Sequence, residues 1–380
     1  MRVALVAGES SGDLLGAGLI REIRKSIPGT TFEGVAGPTM AACGCIVLED
    51  ADTLAVMGLV EPLTRIPKLR RLRRSLVERW TDDPPDAFVG IDAPDFNLGL
   101  AKRLRRAGVK TIQYVCPSVW AWRQGRVKKL SVAVDRVLCL LPFEQEFLDE
   151  YDVACDFVGH PMADRTPVNP DVDIARQQSG AAGSPIVAIL PGSRMSEVTR
   201  LGPVFAEAAR LLTTRYPDIG FIAPMATPEI RDCFRRTISD ETLARMVLTD
   251  GEAETAVSAA DVVLLASGTA TLQTALLGKP MVVAYRLAAL TYAIVKLFDL
   301  IKVPYVSLPN LLIDAPLVPE YIQNDATPEN LANEVALLLG DDARRALVTN
   351  TFGTFRARLA RDADRRAADA VIDMATGHAG

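Results

Sequence analysis

The sequence predicts an α/β protein of two domains, each built on a parallel sheet, and three observations carry that expectation. The chain has 380 residues, more than one ordinary hydrophobic core organises. Short apolar runs of strand length recur, each closed by a turn rich in Gly, Pro, Ser or Asp and followed by an apolar-periodic helix. That rhythm breaks once, at residues 164–184, where Pro167, Asn169, Pro170, Gln177, Gln178, Gly180 and Gly183 mark a linker. The expected division is 1–165, 166–350, and a C-terminal helix and tail over 351–380 with the option of crossing back to the first domain.

Taken in order, Val3–Ala7 reads as a strand, Gly8-Glu9-Ser10-Ser11-Gly12-Asp13 as its turn, and Leu14 to about Ile27 as a helix. A helix N-terminus in that place favours a polar or anionic ligand, with Glu9 and Ser11 as candidates, while Ser11 serves equally well as a plain helix cap. Phe32–Ala36 is the next strand, and residues 54–63, with Met57, are apolar and poorly periodic. From Arg65 to Trp80, Ile66, Leu69, Leu72, Leu76 and Trp80 recur at helical spacing with Arg and Lys between them. This basic amphipathic helix beside an apolar segment suits an anionic membrane or lipid, against the plainer reading of a solvated basic face.

Ala87–Ile91 reads as a strand buried on both faces, and Pro94 stops it near Asp92 because proline cannot donate to a ladder. Ligands of open α/β sheets bind beyond the carboxyl ends of strands, so Asp92 stands where a carboxylate can take a proton from a substrate hydroxyl. An Asp there also commonly caps the next helix, and Asp95 fits that duty better than Asp92. After the strand Lys110–Val115 come Trp120, Trp122, Arg123 and Gln124, a cluster able to stack on a sugar and hold hydroxyls or phosphates, or to pack as core. Val134–Leu141 and Cys155–Val158 complete the first series.

The second series runs through strands at Ile186–Leu190, Gly220–Ala223, Met246–Leu248, Ala260–Leu265 and Pro280–Ala284. Two of its turns share one physics. Gly192 and Ser193 offer backbone amides beside the planar cation of Arg194, and Ser267, Gly268 and Thr269 offer small residues, hydroxyls and a helix N-terminus. Together they suit a diphosphate without a metal, with Gln273 one turn further on in reach of a ribose. Leu287–Ile301 reads as an apolar helix, Tyr305–Asn310 as extended, and the remainder as helices ending near Ala375.

Composition excludes several classes. A net charge of −5 argues against a nucleic-acid binder. The six cysteines include no Cys-x-x-Cys pair and read as reduced core residues, and with only His160 and His378 a His-based zinc site or Ser-His-Asp triad is poorly supplied. The N-terminus reads as a strand rather than a signal peptide, and Lys296 and Asp299 interrupt the longest apolar run.

Several strings together resemble the lipid-A-disaccharide synthases, inverting glycosyltransferases of the GT-B type. They are Val6–Asp13, Val89–Asn97, Pro117–Arg123, Leu190–Arg194, Ala266–Thr271 and Tyr305–Leu311. The resemblance covers nearly the whole chain and implies two Rossmann-like, doubly wound domains facing a cleft, with C-terminal helices. It implies transfer from UDP-2,3-diacylglucosamine to 2,3-diacylglucosamine 1-phosphate (lipid X), giving a β-1,6-linked disaccharide 1-phosphate and UDP. Asp92 matches the family's essential carboxylate, Arg194 a residue that holds the diphosphate, Asn310 a donor-site residue, and Gln323 falls near another. No cofactor or metal is implied. Family members work peripherally at the cytoplasmic face of the inner membrane, and some form homodimers by exchanging C-terminal segments. One departure stands out: Gln273 occupies a place where related transferases carry a Glu that holds the ribose, which exchanges a charge-assisted hydrogen bond for a neutral one. The rival readings are another UDP-sugar enzyme of this fold, such as a UDP-GlcNAc 2-epimerase or soluble-sugar transferase, and a two-domain binding protein without chemistry.

Overall fold

The structure, a computed structural model, describes the chain except residues 55–65, 122–123, 169, 289–291, 293–302 and 378–380. Its contacts divide into two units: Met1–Asp164 together with Arg358–Gly380, and Arg165–Ala357.

The first unit holds seven strands: β1 (Arg2–Ala7), β2 (Thr31–Ala36), β3 (Cys45–Asp50), β4 (Ala87–Ile91), β5 (Lys110–Tyr114), β6 (Arg136–Cys139) and β7 (Cys155–Phe157). They lie parallel in the order β3-β2-β1-β4-β5-β6-β7. The second holds β8 (Ile186–Leu190), β9 (Gly220–Met225), β10 (Met246–Asp250), β11 (Val262–Ala266), β12 (Met281–Tyr285) and β13 (Glu320–Ile322), parallel in the order β10-β9-β8-β11-β12-β13. Each sheet reverses its winding once, between β1 and β4 in the first and between β8 and β11 in the second. At such a reversal the flanking loops diverge to opposite faces and leave a crevice at the carboxyl ends of the strands.

Central strands are short apolar runs because helices cover both of their faces. Every residue of β4, β8 and β11 is buried. In the first unit Phe88, Phe96, Leu100, Leu104 and Trp80 close one side of the sheet. In the second, Phe205, Leu212, Phe221 and Phe234 pack with Leu264 and Val282.

The expected elements differ from the observed ones in informative places. The edge strands β3 and β13 carry no clear sequence signal. Ile46 and Val47 of β3 are exposed, and β13 has three residues, so neither shows a strand's burial pattern. The stretch 164–184 is more than a linker: Val172–Ser179 is a helix, and its Arg176 holds Asp261 through Nη2 at 2.9 Å and donates from Nε to the Ala259 carbonyl. Tyr305–Asn310 is not extended throughout, since a helix begins at Leu308. Cys43, Cys155 and Cys233 are only partly buried, unlike Cys45, Cys116 and Cys139. The expected helix over Leu287–Ile301 falls almost wholly outside the described residues.

Candidate active site

The reversal between β1 and β4 brings the two turns of the first unit together. Gly8, directly after β1, has no room for a side chain, because a Cβ there would stand 2.4 Å from the Cβ of Ala93. Asp92 follows β4 with φ 50° and Ala93 with φ 41°. Two consecutive left-handed residues without glycine are uncommon and must be held by their surroundings. They are held: the Asp92 N–H donates to the Tyr114 carbonyl at 2.9 Å, and its own carbonyl accepts from Asn97 Nδ2 at 2.8 Å and Gln113 Nε2 at 3.0 Å. Asn97 and Gln113 are both buried. Sequence reasoning did not single either out. The signal available was a buried amide side chain in each element flanking the Asp92 turn. Val115, just past β5, is a third left-handed residue, at φ 76°, and a β-branched one.

Asp92, Asp95, Val115, Cys116, Ser118 and Arg126 line one cavity of about 370 Å³, with Pro94, Pro117 and Val119 completing its wall. The helix Pro94–Arg106 begins at Pro94, and its N-cap is Ala93. Asp95 therefore sits in the first turn and does not cap. Its carboxylate instead faces Arg126 Nη1 at 3.5 Å. The cap expected of Ser11 is likewise absent: the helix Ser10–Ser26 has Glu9 at its N-cap, and Ser11 Oγ donates to Glu9 Oε1 at 3.0 Å. Asp13 is the carboxylate with a structural duty here. Buried, it accepts N–H groups from Gly37, Thr39 and Met40.

Trp120 ends the 3-10 turn Ser118–Trp120 and packs edge-on against Phe143, ring centres 4.8 Å apart. Beneath it lies Glu144, fully buried, which accepts from the Leu140 and Leu141 amides at 3.0 and 3.1 Å. Burial pushes its pKa up to about 7, the two amides oppose that shift, and the Trp120 indole N–H opposes it too without reaching hydrogen-bond geometry. Trp122, Arg123 and Met57 lie outside the described residues.

The basic helix spans Ile66–Asp82. Leu76 and Trp80 are buried in the core, while Leu69 and Leu72 are partly buried against it. Leu76 thus faces the domain interior and not a lipid. Arg73 lies over the Phe96 ring, 4.9 Å from its centre, and donates to the Asp95 carbonyl at 2.9 Å. Arg70, Arg71 and Arg74 are exposed. Lys68 and Leu69 join Asp52 and Thr53 around a cavity of about 440 Å³.

In the second unit the candidate turns again flank the winding reversal, after β8 and β11. Gly192 has φ 129°, and a Cβ there would meet the Glu197 side chain at 2.5 Å. The Ser193 amide, expected to be open to an anion, and the Arg194 amide beside it donate to Glu197 Oε2 at 3.1 and 3.3 Å. A carboxylate at the third helical position naturally reaches back to the cap, so the chain supplies its own anion there. Arg194 also faces Glu197, Nη1 to Oε1 at 3.7 Å. The β11 turn is open. Ser267 Oγ donates to the Val306 carbonyl at 2.7 Å, and among the described residues none accepts the amides of Gly268, Thr269 or Ala270. The helix Thr269–Leu276 starts there, with Gln273 half-buried one turn on.

Asn310, expected at the donor site, is held by the fold itself. It is buried, its Nδ2 donates to the Val318 carbonyl and Glu320 Oε1, each at 2.8 Å, and its Oδ1 accepts the Val318 amide at 2.8 Å. Its side chain is fully engaged and fixes the loop. Glu320, which no motif pointed to, also accepts from the Val306 and Ser307 amides at 2.9 Å. Gln323 has φ 55°, its carbonyl accepts from Arg286 Nε at 3.1 Å, and its buried Nε2 has no partner among the described residues.

Comparison with known proteins adds three findings. A family model described as lipid-A-disaccharide synthetase matches residues 3–372. The chain is similar to proteins named lipid-A-disaccharide synthase from Alkalilimnicola ehrlichii, 51% identical with all of both chains covered, and from Aeromonas hydrophila, 47% identical with 98% of both covered. Among solved structures it resembles UDP-GlcNAc 2-epimerase from Neisseria meningitidis bound to UDP-GlcNAc, with a TM-score of 0.64, 14% identity and full coverage of both chains. It also resembles MurG from Acinetobacter baumannii, with a TM-score of 0.58, 14% identity, and 98% of this chain and 99% of that one covered. At such identities the two structures speak for the fold alone, an α/β fold of the GT-B type.

Proposed function

The chain belongs to the lipid-A-disaccharide synthetase family and is a glycosyltransferase, and from that premise we propose a specific reaction and a division of roles for it. The diacylglucosaminyl group of UDP-2,3-diacylglucosamine passes to the 6-hydroxyl of 2,3-diacylglucosamine 1-phosphate with inversion, and UDP leaves. One observation carries the assignment of the base: Asp92 stands at the carboxyl end of β4, at the winding reversal, in a strained turn fixed by two buried amide side chains, on the wall of a cavity large enough for a sugar ring. A carboxylate so placed takes the proton of the attacking hydroxyl. On the donor side, the amides of Gly268, Thr269 and Ala270, which find no acceptor among the described residues, and the cation of Arg194 suit the negative charge that grows on the departing diphosphate. Gln273 suits a ribose hydroxyl. Gln323 offers a donor with no partner among the described residues, and Asn310 keeps the adjoining loop in place.

The lipid tails of both substrates suit an enzyme that works at a membrane surface. No described helix is long and apolar enough to cross a membrane, and the exposed Arg70, Arg71 and Arg74 support docking on anionic lipid. An exchanged homodimer would make the contacts of the C-terminal helix between chains, which light scattering distinguishes from a monomer.

The test is disaccharide formation from the two lipid substrates by the wild type and by Asp92→Asn, with native folding checked by circular dichroism. The variant is expected to lose about a hundredfold or more in kcat while still binding UDP. A folded Asp92→Asn enzyme with undiminished turnover would remove the base from this reading. A wild type that binds UDP and makes no disaccharide would remove the lipid substrates.

A further inference from the structure

We propose that Arg126 is the seat of the acceptor's phosphate, so that the cavity beside Asp92 recognises a sugar phosphate and not merely a sugar. The inference rests on the transferase reading above and adds to it a ligand subsite. Asp92, Asp95 and Arg126 line the same cavity of about 370 Å³, and Arg126 is the single cation among its described lining residues. A phosphate monoester carries more than one negative charge near neutrality, and entry into a cavity lined by two carboxylates is repulsive unless a cation stands between. Arg126 provides the charge together with a planar fork that matches two phosphate oxygens.

Its present partner fits a replaceable role. Arg126 Nη1 faces Asp95 Oδ1 at 3.5 Å, longer than a well-formed charge-assisted hydrogen bond, and the two side chains are 42% and 68% exposed. An ion pair this open holds weakly, so a dianion displaces Asp95 at little cost. The two side chains also offer the acceptor different chemistry. Asp92 is pinned by its backbone hydrogen bonds, while Arg126 ends the 3-10 turn Gln124–Arg126 and lines the same cavity. Asp92 is a base for a hydroxyl and Arg126 a grip for a phosphate, and holding the phosphate orients the acceptor toward the base.

The test is a substrate-by-variant cycle using wild type, Arg126→Ala, Arg126→Lys and Asp95→Asn. Each is assayed with UDP-2,3-diacylglucosamine and two acceptors, 2,3-diacylglucosamine 1-phosphate and the same lipid without its phosphate. Wild type should prefer the phosphorylated acceptor, and Arg126→Ala should cut kcat/KM for it by about 10- to 100-fold, chiefly through KM, with a far smaller change for the other. Arg126→Lys, a point charge without the fork, should fall between. Asp95→Asn, which frees the guanidinium, should lower KM for the phosphorylated acceptor by up to about fivefold. Equal losses on both acceptors in a natively folded Arg126→Ala enzyme would overturn the proposal, as would a raised KM in Asp95→Asn. A wild type that is stabilised by UDP yet makes no product from either acceptor would show that the transferase reading itself had failed, and the phosphate seat with it.

Discussion

Glu144 is a carboxylate placed where its charge is costly. Its two amide donors do not offset full burial, and its pKa is pushed up to about 7. A carboxyl whose folded pKa lies above its ordinary value binds its proton more tightly in the folded state. The stability it adds is complete below the ordinary glutamate range and is lost as pH rises through about 7. The shift corresponds to ~3 kcal/mol between the two ends of that window. Glu144→Gln keeps an acceptor for the Leu140 and Leu141 amides and carries no charge. Its melting temperature relative to wild type should therefore climb between pH 5 and pH 8, and a difference that stays flat across that range would contradict a titrating Glu144. None of this was legible in the sequence, where Glu144 reads as one more acid in a first helical turn. Asp92 was legible, because a buried apolar run followed by Asp and Pro fixes where a strand ends. Asn310 was legible as the polar end of its stretch and its contacts were not, since sequence does not say whether an amide turns inward to Val318 and Glu320 or outward to a ligand. Glu197 shows the same limit: Gly192 and Ser193 signal an amide-rich turn, and only the folded helix places a carboxylate on its amides.

At the scale of one element, the helix Ile66–Asp82 is defined by its 3.6-residue apolar spacing, and the sequence discloses that much. It does not disclose the gradient along the apolar stripe, from Ile66 at 39% exposure to Trp80 at 0%. The same residue types serve both ends, and what differs is the neighbour. At the buried end Glu33 of β2 accepts Trp80 Nε1 at 2.7 Å and Arg79 Nη2 at 2.6 Å, and the Arg79 guanidinium holds the Glu33 carboxyl below its usual range. Two kinds of substitution should therefore separate cleanly. Leu76→Ala leaves a cavity in the core and should cost roughly 2–5 kcal/mol in chemical denaturation. Replacing Arg70, Arg71 and Arg74 by Gln should leave stability within about 0.5 kcal/mol per site and weaken binding to vesicles containing anionic lipid. If the Arg variants bind such vesicles as wild type does, the exposed basic face is only a solvated surface. Strands β3 and β13 were missed for a related reason: β3 exposes Ile46 and Val47 and β13 has only three residues, so neither shows the two-faced burial that makes β4, β8 and β11 readable.

At the scale of the molecule, the chain closes its first unit with its last helix, a return that was expected only as an option because local patterning does not fix contacts between partners hundreds of residues apart. The helix Ala363–Thr376 buries Ala363, Ala367, Ala368 and Val371, and Asp364 of this helix stands where a Cβ on Gly18 would meet it at 2.4 Å. The Asp164 carboxylate accepts the amides of Asp362 and Ala363 at 3.1 and 2.8 Å, which anchors the start of the helix where the chain has just re-entered the unit. Small residues let helices approach closely, so a large charged side chain on that face cannot be accommodated by rotamer changes alone. Ala368→Glu should therefore destabilise the unit formed by Met1–Asp164 and Arg358–Gly380 by several kcal/mol and abolish transfer, since Asp92 belongs to it. The candidate UDP residues from Gly192 to Gln323 all belong to Arg165–Ala357, and UDP should still raise that unit's melting temperature in the variant. Calorimetry with and without UDP reads both effects in one experiment. Loss of the UDP response together with the first unit's transition would mean that the two units unfold as one, and that the last helix stabilises the whole chain and not the first unit alone.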